Sequence, residues 1–143
     1  MSEDPFDLDR FVRAQTSDYE RALAEINGGR KQSHWMWYVF PQCAGLGHSP
    51  TSQRYAISTL DEARAYLAHP ILGRRLTECA TAVLGVQDRT AHQIFGSPDD
   101  LKLQSSATLF ALVSADDSVF HRVLDKYFGG HADERTLGLV HPS

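Results

Sequence analysis

The feature that most constrains the fold is a run of apolar residues with helical spacing in the middle of the chain. Its members follow one another at intervals of 4, 3, 4 and 3 residues: Leu72, Leu76, Cys79, Val83 and Val86. That spacing places all of their side chains on one face of an α-helix. Pro70 fits the first turn of such a helix, where the missing N–H costs nothing.

Helix-start and helix-stop residues recur along the rest of the chain, and sustained alternation of apolar and polar residues is absent outside one short segment. The sequence therefore predicts an all-α fold, a compact and irregular bundle of several helices in a single domain over residues 1–143. Flexible ends are expected at about residues 1–5 and 141–143. The signals are the caps Asp7, Thr59 (with Glu62) and Thr90, Pro98 at a helix start, and the stops Gly28-Gly29, Gly96 and Gly129-Gly130.

Composition narrows the class of protein. The formal charge is −4 and the acidic and basic residues are interleaved, which argues against nucleic-acid binding and against a polybasic membrane anchor. No apolar run approaches the length of a membrane span, and the acidic start lacks the pattern of a signal peptide. We expect a cytoplasmic protein with two free thiols, Cys43 and Cys79. The sequence does not indicate an oligomeric state.

The segment from Ser33 to Gln42, SHWMWYVFPQ, is unusually aromatic. It is apolar on every side if helical, and Ser33 as a cap with Pro41 as a stop favours a short buried helix over a strand. Two interpretations of its aromatic residues remain open. Trp35 and Trp37 either fill the core or form the wall of a pocket for a flat ligand. His34, which precedes them, is either a structural hydrogen-bonding residue or a base or donor at that pocket.

The loop that follows, CAGLGHSPTSQRY, is the longest irregular stretch and offers many hydrogen-bond donors. Long loops in compact domains are often functional. The interpretation as a pocket therefore predicts a site for a small polar or nucleotide-like ligand, built from the aromatic segment and this loop. The candidate residues of these two segments are His34, Trp35, Trp37, Gln42, Gly45, Gly47, Ser49, Ser52 and Tyr55.

A third wall is expected from the helix that begins near Pro98. Its apolar stripe runs through Leu101, Leu109 and Leu112 but also includes the hydroxyls of Ser105 and Thr108. Buried hydroxyls need partners. They either bond to the carbonyl four residues earlier or face a polar cavity. In the second case Lys102, Ser105 and Ser106 join the candidate ligand-binding residues.

Metal and cofactor motifs are missing from the sequence. The seven histidines are scattered without a His-x-x-x-His pair, and there is no CxxC. No phosphate-binding P-loop, dinucleotide fingerprint or GxSxG nucleophile motif is present. We therefore predict no metal site and no cofactor, and the sequence assigns no catalytic residue.

Several of these stretches together resemble a known family. GGRKQSHWMWYVFPQCAGLGHSPTSQRYAI, EARAYLAHPILGRRL, IFGSPDDLKLQSSATLF and DERTL resemble the bacterial domain-of-unknown-function 1810 family, over about Leu8 to Leu139. The resemblance implies a compact all-helical domain and no particular function. The matching motif positions include His34, Trp35, Trp37, Pro41, Gln42, Gly45, Gly47, Ser49, Tyr55, His69, Pro70, Lys102, Ser105 and Ser106.

The order of segments is also similar to that of helical N-glycosidases acting on ADP-ribose-type and pyrimidine-intermediate substrates. The Glu-His-Tyr-type motif of that family is replaced here by Gln53-Arg54-Tyr55, which lacks the glutamate. This similarity gives a second hypothesis, a hydrolase in which Asp61 or Glu62 stabilises an oxocarbenium-like transition state. The third hypothesis is a protein-interaction module with exposed tryptophans.

Overall fold

The computed structural model describes residues 4–140, so most of the predicted flexible ends, residues 1–3 and 141–143, lie outside it. The described part contains ten α-helices and no β-strand, which confirms the all-α prediction. The helices are α1 (Asp9–Gln15), α2 (Tyr19–Asn27), α3 (Met36–Val39), α4 (Pro50–Arg54), α5 (Leu60–Ala68), α6 (Leu72–Gly85), α7 (Ala91–Phe95), α8 (Asp99–Ala111), α9 (Val119–Phe128) and α10 (Glu134–Val140).

Helices α6 and α8 form the centre of the bundle. Helix α6 packs against α2, α5 and α9, while α8 packs against α5, α7, α9 and α10. The predicted stripe of α6 is confirmed, because its five members are all buried: Leu72, Leu76, Cys79, Val83 and Val86. In α8 every residue from Ser105 to Ala111 is buried. The predicted stripe of α8 is wrong at Leu101 and Leu112, which lie on either side of this buried part and are 56% and 44% exposed. A helix segment that is buried on all sides has no single apolar face.

Several predicted helix starts are confirmed by side-chain caps. Thr90 accepts a hydrogen bond from the Gln93 N–H (3.1 Å), and the Gln93 side chain accepts one from the Thr90 N–H (2.8 Å). Thr59 accepts from the Glu62 N–H (3.1 Å), but the Glu62 carboxylate accepts from Ser58 instead of Thr59. These bonds satisfy N–H groups that a helix start leaves unpaired.

Other boundaries differ from the prediction. The carboxylate of Asp4, and not Asp7, accepts the N–H groups of Leu8 and Asp9 at the start of α1. The predicted cap Ser33 instead donates its hydroxyl hydrogen to Glu25, and α3 begins only after Trp35.

Two short helices lie where none was predicted. Helix α4 occupies part of the loop that follows the aromatic segment, and α10 forms the last described stretch of the chain. No helix in the described part of the chain is long and apolar enough to cross a membrane.

Candidate functional site

Trp35 is a core residue. Its side chain is completely buried and packs against the rings of Phe40 and Phe95. The indole N–H donates to Glu25 Oε1 at 2.9 Å, and the Lys31 ammonium lies 5.0 Å from the ring centroid. The structure therefore does not bring Trp35 to a described cavity.

Glu25 organises the turn before the aromatic segment. Its carboxylate also accepts hydrogen bonds from the N–H groups of Gln32 (2.8 Å) and Ser33 (2.9 Å). Burial by itself raises the pKa of Glu25, but hydrogen bonds from Ser33, Gln32 and Trp35 outweigh it and lower the pKa to about 2. This carboxylate thus fixes Trp35 from outside the core while the ring packs within it.

Trp37 has a different environment. Its ring is half-buried, and the Lys102 ammonium lies 5.0 Å from the ring centroid, a distance typical of a cation–π contact. The ring helps to line a cavity of about 230 Å³, named cavity B. The described residues that line cavity B are Lys31, His34, Met36, Trp37, Ser97, Pro98 and Asp99. The predicted site residues His34 and Trp37 therefore share one cavity.

A larger cavity of about 360 Å³, named cavity A, lies next to cavity B. Its walls come from the loop after the aromatic segment, the first half of α8 and the start of α10. Five of its described lining residues were predicted from sequence: Gln42, Gly47, Ser52, Lys102 and Ser105. Six were not: Leu46, Pro98, Leu101, Gln104, Asp133 and Arg135. Pro98 lines both cavities, and Lys102 lines cavity A while its ammonium contacts Trp37 in cavity B.

The other predicted site residues do not line either cavity. Gly45 has φ +99° and faces Leu139, and Ser49 caps α4 by accepting the Ser52 N–H at 3.1 Å. Tyr55 packs against aromatic rings of α1 and α3. Ser106 is buried inside α8. The observed contacts of Gly45, Ser49 and Tyr55 are structural.

Gly47 is required by the close packing of the loop on α4. A Cβ atom at this position would lie 2.5 Å from the Cβ of Ser52, far inside van der Waals contact. Any larger residue would therefore push Ser52 and the loop apart at the edge of cavity A.

Asp133 joins α10 to α8 at the floor of cavity A. Its Oδ2 accepts hydrogen bonds from Ser105 Oγ (2.9 Å) and from the N–H of Thr136 (3.2 Å), and its own N–H donates to Thr108 Oγ1 (2.8 Å). The Thr108 hydroxyl donates to the carbonyl four residues earlier, and Ser105 shares its single hydroxyl hydrogen between the carbonyl of Leu101 and Asp133 Oδ2, as one of the two interpretations expected. These two buried hydroxyls are thus satisfied, while Ser105 also lines the cavity.

The two cavities are surrounded by charge. Asp99 lies between two ammonium groups, 2.8 Å from Lys31 and 3.3 Å from Lys102. With Arg135 and Asp133, three cationic and two anionic side chains line the cavities, which leaves a formal charge of +1. The chain as a whole carries −4, so positive charge is concentrated at this site relative to the protein.

The carboxylates expected for the hydrolase hypothesis lie elsewhere. Glu62 is buried and forms an ion pair with Arg10 at 2.8 Å, and the exposed Asp61 pairs with Arg64 at 2.9 Å. Neither lines cavity A or B. In the described part of the chain, no group of three or more His, Cys, Asp or Glu residues is placed to hold a metal ion.

Comparison with known proteins gives a family and a structural relative. A family model described as "Protein of unknown function (DUF1810)" matches residues 5–140. The chain is similar to the conserved hypothetical protein Rv1873 from Mycobacterium tuberculosis, whose crystal structure has been solved. The two are 53% identical, with a TM-score of 0.96, over 98% of this chain and 100% of that chain. No curated protein matches the chain.

Proposed function

The chain belongs to the DUF1810 family of proteins of unknown function, and we propose that it binds a small polar ligand with an anionic group in cavity A. The observation that carries the proposal is the set of groups lining this cavity of about 360 Å³. Lys102 and Arg135 supply positive charge, the amide groups of Gln42 and Gln104 supply hydrogen-bond donors, and Leu101 supplies an exposed apolar surface. Convergent polar groups on a partly apolar wall are typical of small-molecule sites.

Each group has a distinct part in this proposal. Arg135 offers a planar guanidinium that suits a phosphate or carboxylate, and Lys102 offers a point charge. The amides of Gln42 and Gln104 offer both donors and acceptors. The apolar side chains Leu46 and Leu101 would cover the non-polar part of the ligand. The size of the cavity favours a small molecule over a polymer.

We propose binding without bond cleavage because the carboxylate of cavity A is engaged in hydrogen bonds within the protein. Among the described residues of cavity A, Asp133 carries the carboxylate, and its Oδ2 is used by Ser105 and Thr136. Those bonds hold α10 on α8, which is a structural role. The exposed large apolar residues Leu101, Leu112 and Leu139 do not include either tryptophan, so the protein-interaction hypothesis gains no support from the aromatic segment.

The test is isothermal titration of the full chain with inorganic pyrophosphate, ribose 5-phosphate and citrate as probes. At least one should bind saturably, and Lys102→Gln and Arg135→Gln should each weaken it about tenfold, since hydrogen bonds to charged groups contribute roughly 1.5–3 kcal/mol. The matched control is Arg122→Gln, because Arg122 is exposed and pairs with Asp117 outside both cavities. Absence of saturable binding, or an equal loss in the control, would contradict the proposal.

We also propose a cytoplasmic location, which the two free cysteines support. Both thiols are buried, and burial raises the pKa of Cys43 and, to about 12, that of Cys79. Such thiols are unreactive core residues. Fractionation of cells that produce the protein would test the location; recovery of the protein in a membrane or secreted fraction would contradict it.

A further inference from the structure

We propose that cavity B is the subsite for a planar aromatic ring of the same ligand, so that the two cavities together recognise a nucleoside phosphate. This inference rests on the proposed function, because it assigns the anionic group of the ligand to cavity A. It adds the second half of the ligand and the residue that recognises it, Trp37.

Cavities A and B share part of their walls. Pro98 belongs to the walls of both, and the Lys102 side chain passes from cavity A to the face of Trp37. Cavity B, at about 230 Å³, is smaller than the roughly 300–1,000 Å³ typical of a complete ligand site. It therefore fits better as an extension of cavity A than as an independent site.

The walls of cavity B carry groups that suit a planar heterocycle. Trp37 presents an indole ring and the exposed His34 presents an imidazole ring, and both can stack on a planar heterocycle. Cavity B also has a polar edge, formed by the ion pair of Lys31 and Asp99. The side chain of Lys31 is only 7% exposed, and its ammonium is held by Asp99 (2.8 Å) and by the carbonyl of Ser33. The Asp99 carboxylate can accept hydrogen bonds from ring N–H or amino groups, as nucleobases carry.

Lys102 occupies the face of the Trp37 ring in the structure. It is held there by the contact with the ring and by Asp99 at 3.3 Å. A cation–π contact and an ion pair at a partly exposed position each contribute only about 0.2–1 kcal/mol. Stacking of a base on an aromatic side chain contributes about 1–3 kcal/mol. Lys102 can therefore turn toward a phosphate in cavity A and leave the indole face to the ring, because a charge-assisted bond to the phosphate and the stacked base together replace the two weak contacts.

Trp35 is not the stacking residue, because its ring is not accessible to a ligand. Its ring is enclosed by Phe40 and Phe95, and Lys31 lies over it. Lys31 is held by Asp99 and Ser33 and lies between Trp35 and cavity B. A ligand ring would have to remove this buried ammonium to reach Trp35.

The experiment compares ribose 5-phosphate with the four ribonucleoside 5′-monophosphates by isothermal titration of the full chain. At least one nucleotide should bind about tenfold or more tightly than ribose 5-phosphate, as base stacking predicts. Trp37→Leu should remove this difference without weakening the binding of ribose 5-phosphate, because Lys102 then no longer has to leave the indole face to reach the phosphate. The control is Tyr19→Leu, because Tyr19 is another partly buried ring, with Arg75 at 4.9 Å, and lines neither cavity.

The possible results separate the two proposals. Equal affinities for ribose 5-phosphate and all four nucleotides, or an equal loss of both in Trp37→Leu, would overturn the ring subsite while cavity A stands. If ribose 5-phosphate and the nucleotides all fail to bind while pyrophosphate or citrate binds, the ring subsite is again overturned. If no probe binds at all, the proposed function fails and the ring subsite fails with it. Because Trp37 is not fully buried, circular dichroism of Trp37→Leu should show the wild-type helix content.

Discussion

Trp35 and Trp37 belong to one short segment, and each has a lysine ammonium 5.0 Å from its ring centroid. Both lysines, Lys31 and Lys102, pair with the same carboxylate, Asp99. The two arrangements differ in burial, since the side chain of Lys31 is 7% exposed and that of Lys102 is 24% exposed. One segment thus supplies both a core anchor and a cavity wall, and the residue type alone does not say which tryptophan has which role.

The geometry of the segment accounts for this difference. Trp35 precedes α3 and Trp37 is its second residue. Successive residues of a helix are rotated by about 100°, so positions two apart point to nearly opposite sides. Met36 and Val39 follow Trp35 into the core. Trp37 is left on the side that meets the start of α8.

Removing the Trp35 ring should have the largest effect on stability. Trp35→Ala deletes a completely buried ring and leaves the Glu25 carboxylate without one of its donors. Urea unfolding should show a loss of about 3–5 kcal/mol, the range for large aromatic residues in cores. The matched variant Trp37→Ala should lose at least about 2 kcal/mol less. Equal losses of stability would contradict the assignment of Trp35 to the core and of Trp37 to the cavity wall.

The Glu25 carboxylate, which accepts the Trp35 indole N–H, should make the free energy of unfolding depend on pH. The folded-state pKa of Glu25 is about 2, below its ordinary value of 4.5. Its contribution is therefore fully present above about pH 5 and is lost as the pH falls toward 2. The loss should reach about 1–3 kcal/mol. In Glu25→Gln the unfolding free energy should fall less between pH 5 and pH 2; a curve parallel to that of the wild type would contradict the assignment.

Replacing the two lysines should also lower the free energy of unfolding, more for Lys31 than for Lys102, and by less than replacing Trp35. Lys31→Met removes the partner of the poorly exposed Asp99 carboxylate. The free energy of unfolding should fall by about 2 kcal/mol, less than the roughly 3–5 kcal/mol lost when a fully buried pair is broken. Lys102→Met removes a more exposed partner and should cost less than about 1 kcal/mol. Thermal unfolding of the two variants at the same pH measures both. A greater loss of stability for Lys102→Met would contradict the inference that Lys102 is held more weakly than Lys31. The role of Trp37 as a cavity wall depends on that inference.

The sequence predicts the helices better than the site because the two depend on different information. The stripe of α6 and the caps Thr59 and Thr90 lie within a few residues of what they stabilise. The position of α10 depends instead on the bond from Asp133 to Thr108, 25 residues apart. Local patterns do not contain such a contact, so Asp133 and Arg135 were not predicted to line cavity A.

Two features had local signals that sequence reasoning did not use. Ser49 followed by Pro50 and a donor at Ser52 is a typical helix start, and it begins α4 within the predicted loop. An Asp at position 133 followed three residues later by Thr136 likewise has the pattern of a capped helix start, which α10 confirms. In contrast, α3 has only four residues. That is too short for a periodic pattern to separate Trp35 from Trp37.

The most direct test of the account follows the two indole N–H signals of the full chain by ¹H–¹⁵N NMR during titration with the tightest-binding nucleoside monophosphate, or with all four in turn. Trp35 is bonded to Glu25 in the core, whereas Trp37 lines cavity B. The Trp37 signal, assigned from its loss in Trp37→Leu, should shift saturably while the Trp35 signal stays within a small fraction of that shift. Two unchanged signals with every nucleotide, or a Trp35 shift as large as that of Trp37, would contradict the division of this segment into core and binding wall.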